Sequence, residues 1–372
     1  LLGVTITGDA FNIFVFLEIS SLSTYVLIAT GVRKNRRALT AAYNYLILGT
    51  IGATFFVIGI GLLYMVTGTL NIGDLAERLQ PLSDNRVVHA AFAFIVIGMG
   101  LKLALFPMHV WLPNAYTYAP SLVTVFLAAT STKVSVYVLL RFLFTVFGPT
   151  YDFVTLTFEF VLLPLAIVAM FAGSLTAIFQ TNAKRLFAYS SVAQLGYMML
   201  GVSLSNIPGL MATILHIFNH ALMKGALFMA LGCVMYRLDT VSLGSMKGLS
   251  RSMPWTMGAL ILGGLSLIGV PGTVGFISKW HLILGTLEAG YWPIAILIVG
   301  SSLLAVIYIW KIVEVAYLEK GISQKQIVKE APISMLAPLW VLVILNFYFG
   351  IDADLTTWVA RNVADTFLGA GA

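Results

Sequence analysis

Cysteine occurs once in 372 residues, as Cys233, which excludes an intramolecular disulfide framework, a thiolate-held iron–sulfur cluster and a zinc finger. Charge is almost as scarce. Lys, Arg, Asp and Glu together make up 10% of the chain, against roughly a quarter in soluble proteins, so a soluble globular domain is excluded. No long polar tract offers room for a separate water-exposed domain, and the alternating pattern of an outer-membrane barrel is missing. The chain opens on Leu1 and Leu2, with no Met, no basic leader and no small-residue cleavage site. It therefore reads as lacking its N-terminus rather than as beginning with a signal peptide.

What the chain does have is hydrocarbon-like length: 59% of its residues are hydrophobic. Runs of 18 or more apolar residues, each enough to cross about 30 Å as a helix, fall at about ten places. They are 10–30, 42–66, 88–117, 120–147, 153–180, 186–203, 207–236, 255–287, 291–318 and 332–350. The expected fold is an all-α polytopic membrane protein. Alternate connections should then lie on opposite sides. One side collects Arg33, Lys34, Arg36 and Arg37, then Lys184 and Arg185, then Arg237, Lys247 and Arg251, and finally Lys311, Lys320, Lys325 and Lys329. The other holds only Arg78, Arg86, Arg141 and Arg361. By the positive-inside rule the first side is cytoplasmic and the C-terminus is outside, as a multi-pass protein of the cell's inner (plasma) membrane. The net charge of +6 is thus a topology signal, and no nucleic-acid partner is expected.

Four lysines escape that count. Lys102, Lys133, Lys224 and Lys279 lie inside hydrophobic spans, where a charge costs about 2.5–3.5 kcal/mol on the mildest scale. Glu18 is their acidic counterpart. Snorkelling can account for a lone case but hardly for five together. Two of the lysines accompany helix breaks: Lys102 precedes Pro107, Pro113 and Pro120, and Lys279 follows Pro271, Gly272 and Gly275. Such breaks free backbone carbonyls at membrane depth, tolerated only where protein or water covers them. Interrupted spans at corresponding places in two halves mark an inverted-repeat transporter, and here the breaks lie five spans apart.

In the seventh span His216, His220 and Lys224 follow at i, i+4 and i+8, on one helical face and within water-bridging distance. Histidine exchanges protons near neutral pH, so the ladder outlines a proton relay. Two other readings exist, a metal site and interhelical hydrogen bonding, though no Glu, Cys or third His stands near for a metal. Glu159 is a candidate exit group near the outer end of the fifth span, and His109 and His281 at the breaks are candidate half-channel mouths. Trp111, Trp255 and Trp292 read as interfacial anchors.

The stretch KLALFPMHVWLPNAYTYAPSLVTVFLAATSTKVSVYVLLRF, followed in order by KRLFAYSSVAQLGYMMLG, HIFNHALMKGALFM and GVPGTVGFISKW, resembles the proton-translocating membrane subunits shared by Mrp cation/proton antiporters and respiratory complex I (NADH-quinone oxidoreductase). The opening TGDAFNIFVFLEISSLSTYVLIA, with TGTLNIGDL, is most similar to the D-type member of Mrp antiporters. The resemblance implies fourteen helices, of which this chain would hold the fifth to the fourteenth, arranged as two inverted five-helix repeats each with a broken helix. It implies a first half-channel unit at 1–147, incomplete at its N-terminus, a second inverted unit at 153–318, and a C-terminal helix and tail at 319–372. By position, Glu18 resembles the essential glutamate of the fifth helix and Lys102 its lysine partner. Lys133 resembles the central-axis lysine, His216, His220 and Lys224 the axial relay, and Lys279 the terminal group of the second broken helix. The M-type member of complex I usually has glutamate there, so Lys279 argues for the antiporter branch over that one. The implied function is proton movement in a multisubunit Na⁺/H⁺ antiporter. The alternative is a pumping subunit of complex I or a membrane-bound hydrogenase. Either way the expected partners are other membrane subunits, protons, Na⁺ and lipid, with no cofactor, metal or catalytic site on this chain.

Overall fold

A computed structural model describes residues 1–149, 151–319 and 328–369, and it is helical throughout. In chain order the helices are α1 (Leu2–Ile6), α2 (Ala10–Arg33), α3 (Arg37–Thr67), α4 (Ile72–Leu79), α5 (Arg86–Leu103), α6 (Trp111–Tyr118), α7 (Ser121–Phe147) and α8 (Asp152–Ile178). They continue as α9 (Ala183–Ser203), α10 (Ile207–Leu238), α11 (Pro254–Ile268), α12 (Val274–Glu288), α13 (Trp292–Leu318), α14 (Ile333–Ile351) and α15 (Asp354–Leu368). Lys320 and Lys325 of the basic-loop count, and parts of the 319–372 segment, lie outside the described residues.

Eight of these helices (α2, α3, α5, α7, α8, α10, α13 and α14) are long and apolar enough to cross a membrane. The protein is an all-α polytopic membrane protein. Sequence patterning suggested about ten spans, and the difference has two physical sources. Every residue of α9 except Arg185 and Tyr189 is buried, so this helix needs no lipid-facing side and carries Ser190, Ser191 and Gln194 in its interior. The stretch expected at 255–287 is divided into α11 and α12, of 15 residues each.

Short polar side chains start the helices. Asp9 accepts from Asn12 N at 2.7 Å, and Asn85, Asn182 and Asn206 cap α5, α9 and α10 in the same way, satisfying donors that have no partner within the helix. The entries to α2 and α9 also share a backbone pattern. Ala10 N donates to Leu70 O at 2.8 Å while Ile72 N donates to Gly8 O at 2.9 Å; likewise Ala183 N reaches Val241 O at 2.9 Å and Leu243 N reaches Thr181 O at 2.8 Å. The two breaks match as well: α5 ends on Ala104 with φ 62°, and α11 ends on Gly269 with φ 92°. Leu105 N and Val270 N then bond back to Gly100 O and Leu265 O.

Helices approach through small residues, as expected where lipid gives no hydrophobic drive to association. A Cβ on Gly98 of α5 would sit 2.6 Å from Gly52 O of α3. Large apolar side chains such as Leu22, Val26, Phe160 and Leu303 point outward from the bundle. Beyond α14, where patterning left only a tail, α15 lies against α10 with Ala360 and Ala364 buried and Phe367 stacked on Phe144 at 5.6 Å.

The tightest approach joins the two halves of the second break: a Cβ at Gly275 would stand 1.8 Å from Ser266 O. Gly275→Ala is expected to push α12 off α11 and cost about 1–3 kcal/mol or more by overpacking. Gly61→Ala, within α3 and with open space around the added carbon, should keep or raise stability, by up to about 1 kcal/mol from helix propensity. Thermal midpoints from fluorescence-detected gel filtration test the contrast; equal midpoints would mean the break tolerates the extra methyl.

Candidate functional site

The first cluster joins α2 to the last turn of α5. Lys102 Nζ donates to Glu18 Oε1 at 2.9 Å and to Ser21 Oγ at 2.6 Å. Among the described residues there are four ion pairs, and this one alone lies within the helical bundle, its side chains 7% and 25% exposed. Lys102 sits at the C-terminal end of α5, where the helix presents negative dipole and unpaired carbonyls. A carbonyl of this last turn, Leu101 O, accepts from Trp111 Nε1 at 2.9 Å and, more weakly, from Ala104 N at 3.3 Å. Trp111 is 5% exposed and serves as a clasp across the break, which corrects its reading as an interfacial anchor. Trp255 and Trp292 are exposed.

Lys133 is buried in α7, two residues beyond a π-helical turn at Leu127–Ser131. That turn shifts backbone pairing by one residue and leaves carbonyls to be satisfied otherwise. The Lys133 ammonium takes the Ala128 carbonyl, five residues back on its own helix. No hydrogen bond joins Lys133 to the Glu18–Lys102 pair among the described residues.

The second cluster runs between α9 and α10. His216 Nε2 meets Gln194 Oε1 at 2.9 Å and its Nδ1 meets Ser278 Oγ of α12 at 2.7 Å. A neutral imidazole donating to Gln194 and accepting from Ser278 satisfies both contacts. His220 stacks on His216 with centroids 5.7 Å apart and planes within 5°. It is fully buried, and neither ring nitrogen has a partner among the described residues. Lys224 Nζ donates to Phe187 O at 2.8 Å and to Ser190 Oγ. His220 lies within electrostatic reach of Lys133, Lys224 and His216, and His216 also within reach of Lys279. Lys279 Nζ donates to the α11 terminal carbonyls Leu267 O and Ile268 O, at 3.1 and 2.8 Å, and faces the Tyr197 ring at 4.9 Å.

Lys133, His216, His220, Lys224 and Lys279 therefore share one buried region, while Glu18 and Lys102 form a separate pair. The accessory candidates stand apart. His109 is half-buried in the first break, stacked on Phe106 at 5.2 Å, with Nδ1 unpartnered. His281 borders a surface cleft of about 670 Å³ with Asp354 and Arg361 of α15. Glu159 is exposed on a π-helical turn of α8, away from the buried groups. Among the described residues no group of three or more His, Cys, Asp or Glu could hold a metal ion.

Sequence reasoning missed the residues that hold these charges: Ser21, Ser190, Gln194 and Ser278. Ser190 and Gln194, four apart inside an apolar run, were the available signal, because they meet Lys224 and His216 across two packed helices. Lys184 was assigned to a loop by charge counting. It is 2% exposed, in the first turn of α9, with Nζ donating to Ala119 O at 3.1 Å.

A helical membrane protein that buries ionisable side chains along its interior, beside two broken helices, belongs to the class of ion-translocating membrane subunits. The family described as NADH:quinone oxidoreductase/Mrp antiporter, transmembrane, matches residues 7–305, and the chain belongs to it. It is 46% identical over 358 residues to the N-type member of the NADH-quinone oxidoreductase of Desulforudis audaxviator (strain MP104C), covering 92% of this chain and 70% of that protein. It is 30% identical over 369 residues to the D-type member of the Na⁺/H⁺ antiporter of Alkalihalophilus pseudofirmus, covering 98% and 73%. Its fold superposes on a chain of the Mrp complex from Dietzia sp. DQ12-45-1b with a TM-score of 0.90 at 25% identity, covering 99% of this chain and 76% of that one.

The two histidines differ in what their loss leaves behind. His216→Leu strands Gln194 Oε1 in the interior, a cost of about 1–3 kcal/mol, whereas His220→Leu removes two nitrogens that have no partner. Thermal unfolding in detergent should show a clear drop for the first variant and a small change for the second. Equal drops would mean that His220 is hydrogen-bonded, through water, in the folded protein.

Proposed function

We propose that the chain translocates protons as one subunit of a larger membrane assembly, through two half-channels joined by buried Lys, His and Glu side chains. The Glu18–Lys102 pair carries the reading, because an ion pair at the end of a broken membrane helix has two states that differ in proton affinity. Paired, the carboxylate stabilises the ammonium. Pulled apart, the ammonium is stranded in apolar surroundings, where charge is costly, and the neutral amine becomes the cheaper form. Its proton then passes toward Lys133 and on through Lys224, His220 and His216 to Lys279. His109 and His281 serve the half-channel mouths and Glu159 is an accessory exit group.

The same reading counts ten spans, taking α5 with α6 and α11 with α12 as single crossings and adding α9. Units 1–147 and 153–318 are inverted repeats, followed by the C-terminal segment 319–372. The matched backbone bonds at the entries to α2 and α9, and the matched breaks, support the repeat. The basic connections face the cytoplasm and the C-terminus the outside; burial of Lys184 removes one charge from that imbalance without reversing it.

In the first form of this proposal the assembly is an Mrp-type monovalent cation/proton antiporter, in which proton entry is coupled to Na⁺ export. A second form, a proton-pumping subunit of a redox-driven complex whose cofactors lie on other chains, is favoured by the 46% identity to the N-type member of a quinone oxidoreductase. Co-purification separates them: small Mrp-type membrane subunits support the antiporter, and iron–sulfur proteins support the pump.

Two substitutions test the transport reading in inverted vesicles with a pH-sensitive dye. Glu18→Ala should reduce initial proton uptake by about tenfold or more, and Glu18→Asp should retain part of it, since the charge stays and the reach shortens. Normal uptake by Glu18→Ala would end the switch. At Lys279, arginine keeps the charge but effectively never deprotonates. Lys279→Arg and Lys279→Ala should both fail if this residue must release its proton; wild-type uptake by Lys279→Arg would leave it as a fixed electrostatic barrier.

A further inference from the structure

Apart from the buried charges described above, a cavity of about 610 Å³ opens where the ends of α2, α6 and α10 meet the starts of α7 and α9. Its walls carry Arg33, Lys34, Ser121, Lys184 and Asp239. Lys184 is the buried member, 2% exposed, and its ammonium has one acceptor, Ala119 O at 3.1 Å. No carboxylate lies within ion-pair distance of it among the described residues. The one acid on the wall, Asp239, is engaged at 2.7 Å by Lys34 on the exposed rim. Among the described residues Ser121 Oγ, which is enclosed, has no hydrogen-bond partner, and it stands in the first turn of α7, whose backbone N–H groups lack partners within the helix.

This wall offers donors and positive charge with almost nothing to accept them. A buried ammonium without a counter-charge is costly, and an enclosed, unpartnered hydroxyl on a residue of the same wall adds a second unmet demand. A ligand answering both must be anionic and carry several acceptor oxygens at different angles. A tetrahedral oxyanion does so, and lysine is a common point-charge partner for phosphate. The volume falls within the range of small-molecule sites and admits more than a bare anion.

We propose that this cavity binds a phosphate-class oxyanion, with Lys184 Nζ and Ser121 Oγ on its oxygens and Arg33 drawing it in from the rim. Free phosphate and the headgroup of an anionic phospholipid share this chemistry. The headgroup source suits a cavity at the end of the bundle where Arg33, Lys34, Arg36 and Arg37 cluster, since basic flanks attract anionic lipid. Bound there, the anion ties the ends of α2 and α6 to those of α9 and α10.

The test uses the full chain, purified in a neutral detergent or placed in phosphatidylcholine nanodiscs doped with phosphatidylglycerol. Inorganic phosphate is titrated and followed by ³¹P line broadening, and retained lipid is identified by native mass spectrometry. Binding of inorganic phosphate that weakens about tenfold or more in Lys184→Met, and weakens in Ser121→Ala, assigns the site to the free anion. Selective retention of phosphatidylglycerol, lost in both variants and without phosphate binding, assigns it to a headgroup. Lys184→Arg should keep either ligand. Should Lys184→Met not give a monodisperse protein, Ser121→Ala decides alone. Absence of both ligands from the wild type, or binding undiminished in Ser121→Ala, overturns the proposal.

Discussion

A charge inside an apolar bundle must be given an oxygen by the protein itself, and much of this structure follows from that demand. Each intramembrane lysine has one. Lys102 has a carboxylate and a hydroxyl, Lys133 the Ala128 carbonyl within a π turn, Lys224 a carbonyl and a hydroxyl, and Lys279 the last carbonyls of α11. The irregular features of the helices, two breaks and a π turn, are the sources of several of these oxygens. A regular helix keeps most of its carbonyls for its own backbone, so without the π turn and the second break Lys133 and Lys279 would lose the acceptors they have here.

Two stretches with matching backbone bonds carry unlike chemistry. Eight residues beyond the shared backbone bond at Ala10 stands Glu18; eight beyond its counterpart Ala183 stands Ser191. Lys102 is thus held by a formal charge, and Lys224 and Lys279 by neutral oxygens. The lysines are displaced too. Lys102 precedes its break and Lys279 follows its own, yet both end beside the same kind of helix terminus. In the first break a tryptophan N–H takes a carbonyl of the last turn, and in the second the lysine does.

Among the described residues His220 is one of a few exceptions to the rule of satisfied polar groups, and it is the one with two unpartnered atoms. Its neighbour His216 has a partner at each nitrogen, and its own two nitrogens have none, although the rings are stacked on one helix face. Buried polar groups without partners are scarce because they cost stability. Under the proposed transport, that cost is borne by a group which must exchange its hydrogen-bond partners each time a proton passes, and a fixed partner would hold it in one state.

The sequence by itself determined the class of the protein. Its apolar runs, scarce charge and lone cysteine admitted only a polytopic helical membrane protein, and the lysines inside those runs stood out because hydrocarbon makes charge expensive wherever the chain folds. Prolines and glycines marked both breaks, since their effect on backbone is local. Tertiary structure decided what is non-local. Ser21, Ser190, Gln194 and Ser278 became ligands of the charged groups only when helices distant in sequence packed together. Trp111 turned inward and Lys184 became buried because the ends of neighbouring helices cover them. Helix α9, enclosed on every side, lost the apolar exterior by which a membrane span is recognised. A periodic pattern reports whether a residue is apolar, but its partners are set by packing between elements, and that information is not present in any one segment of the chain.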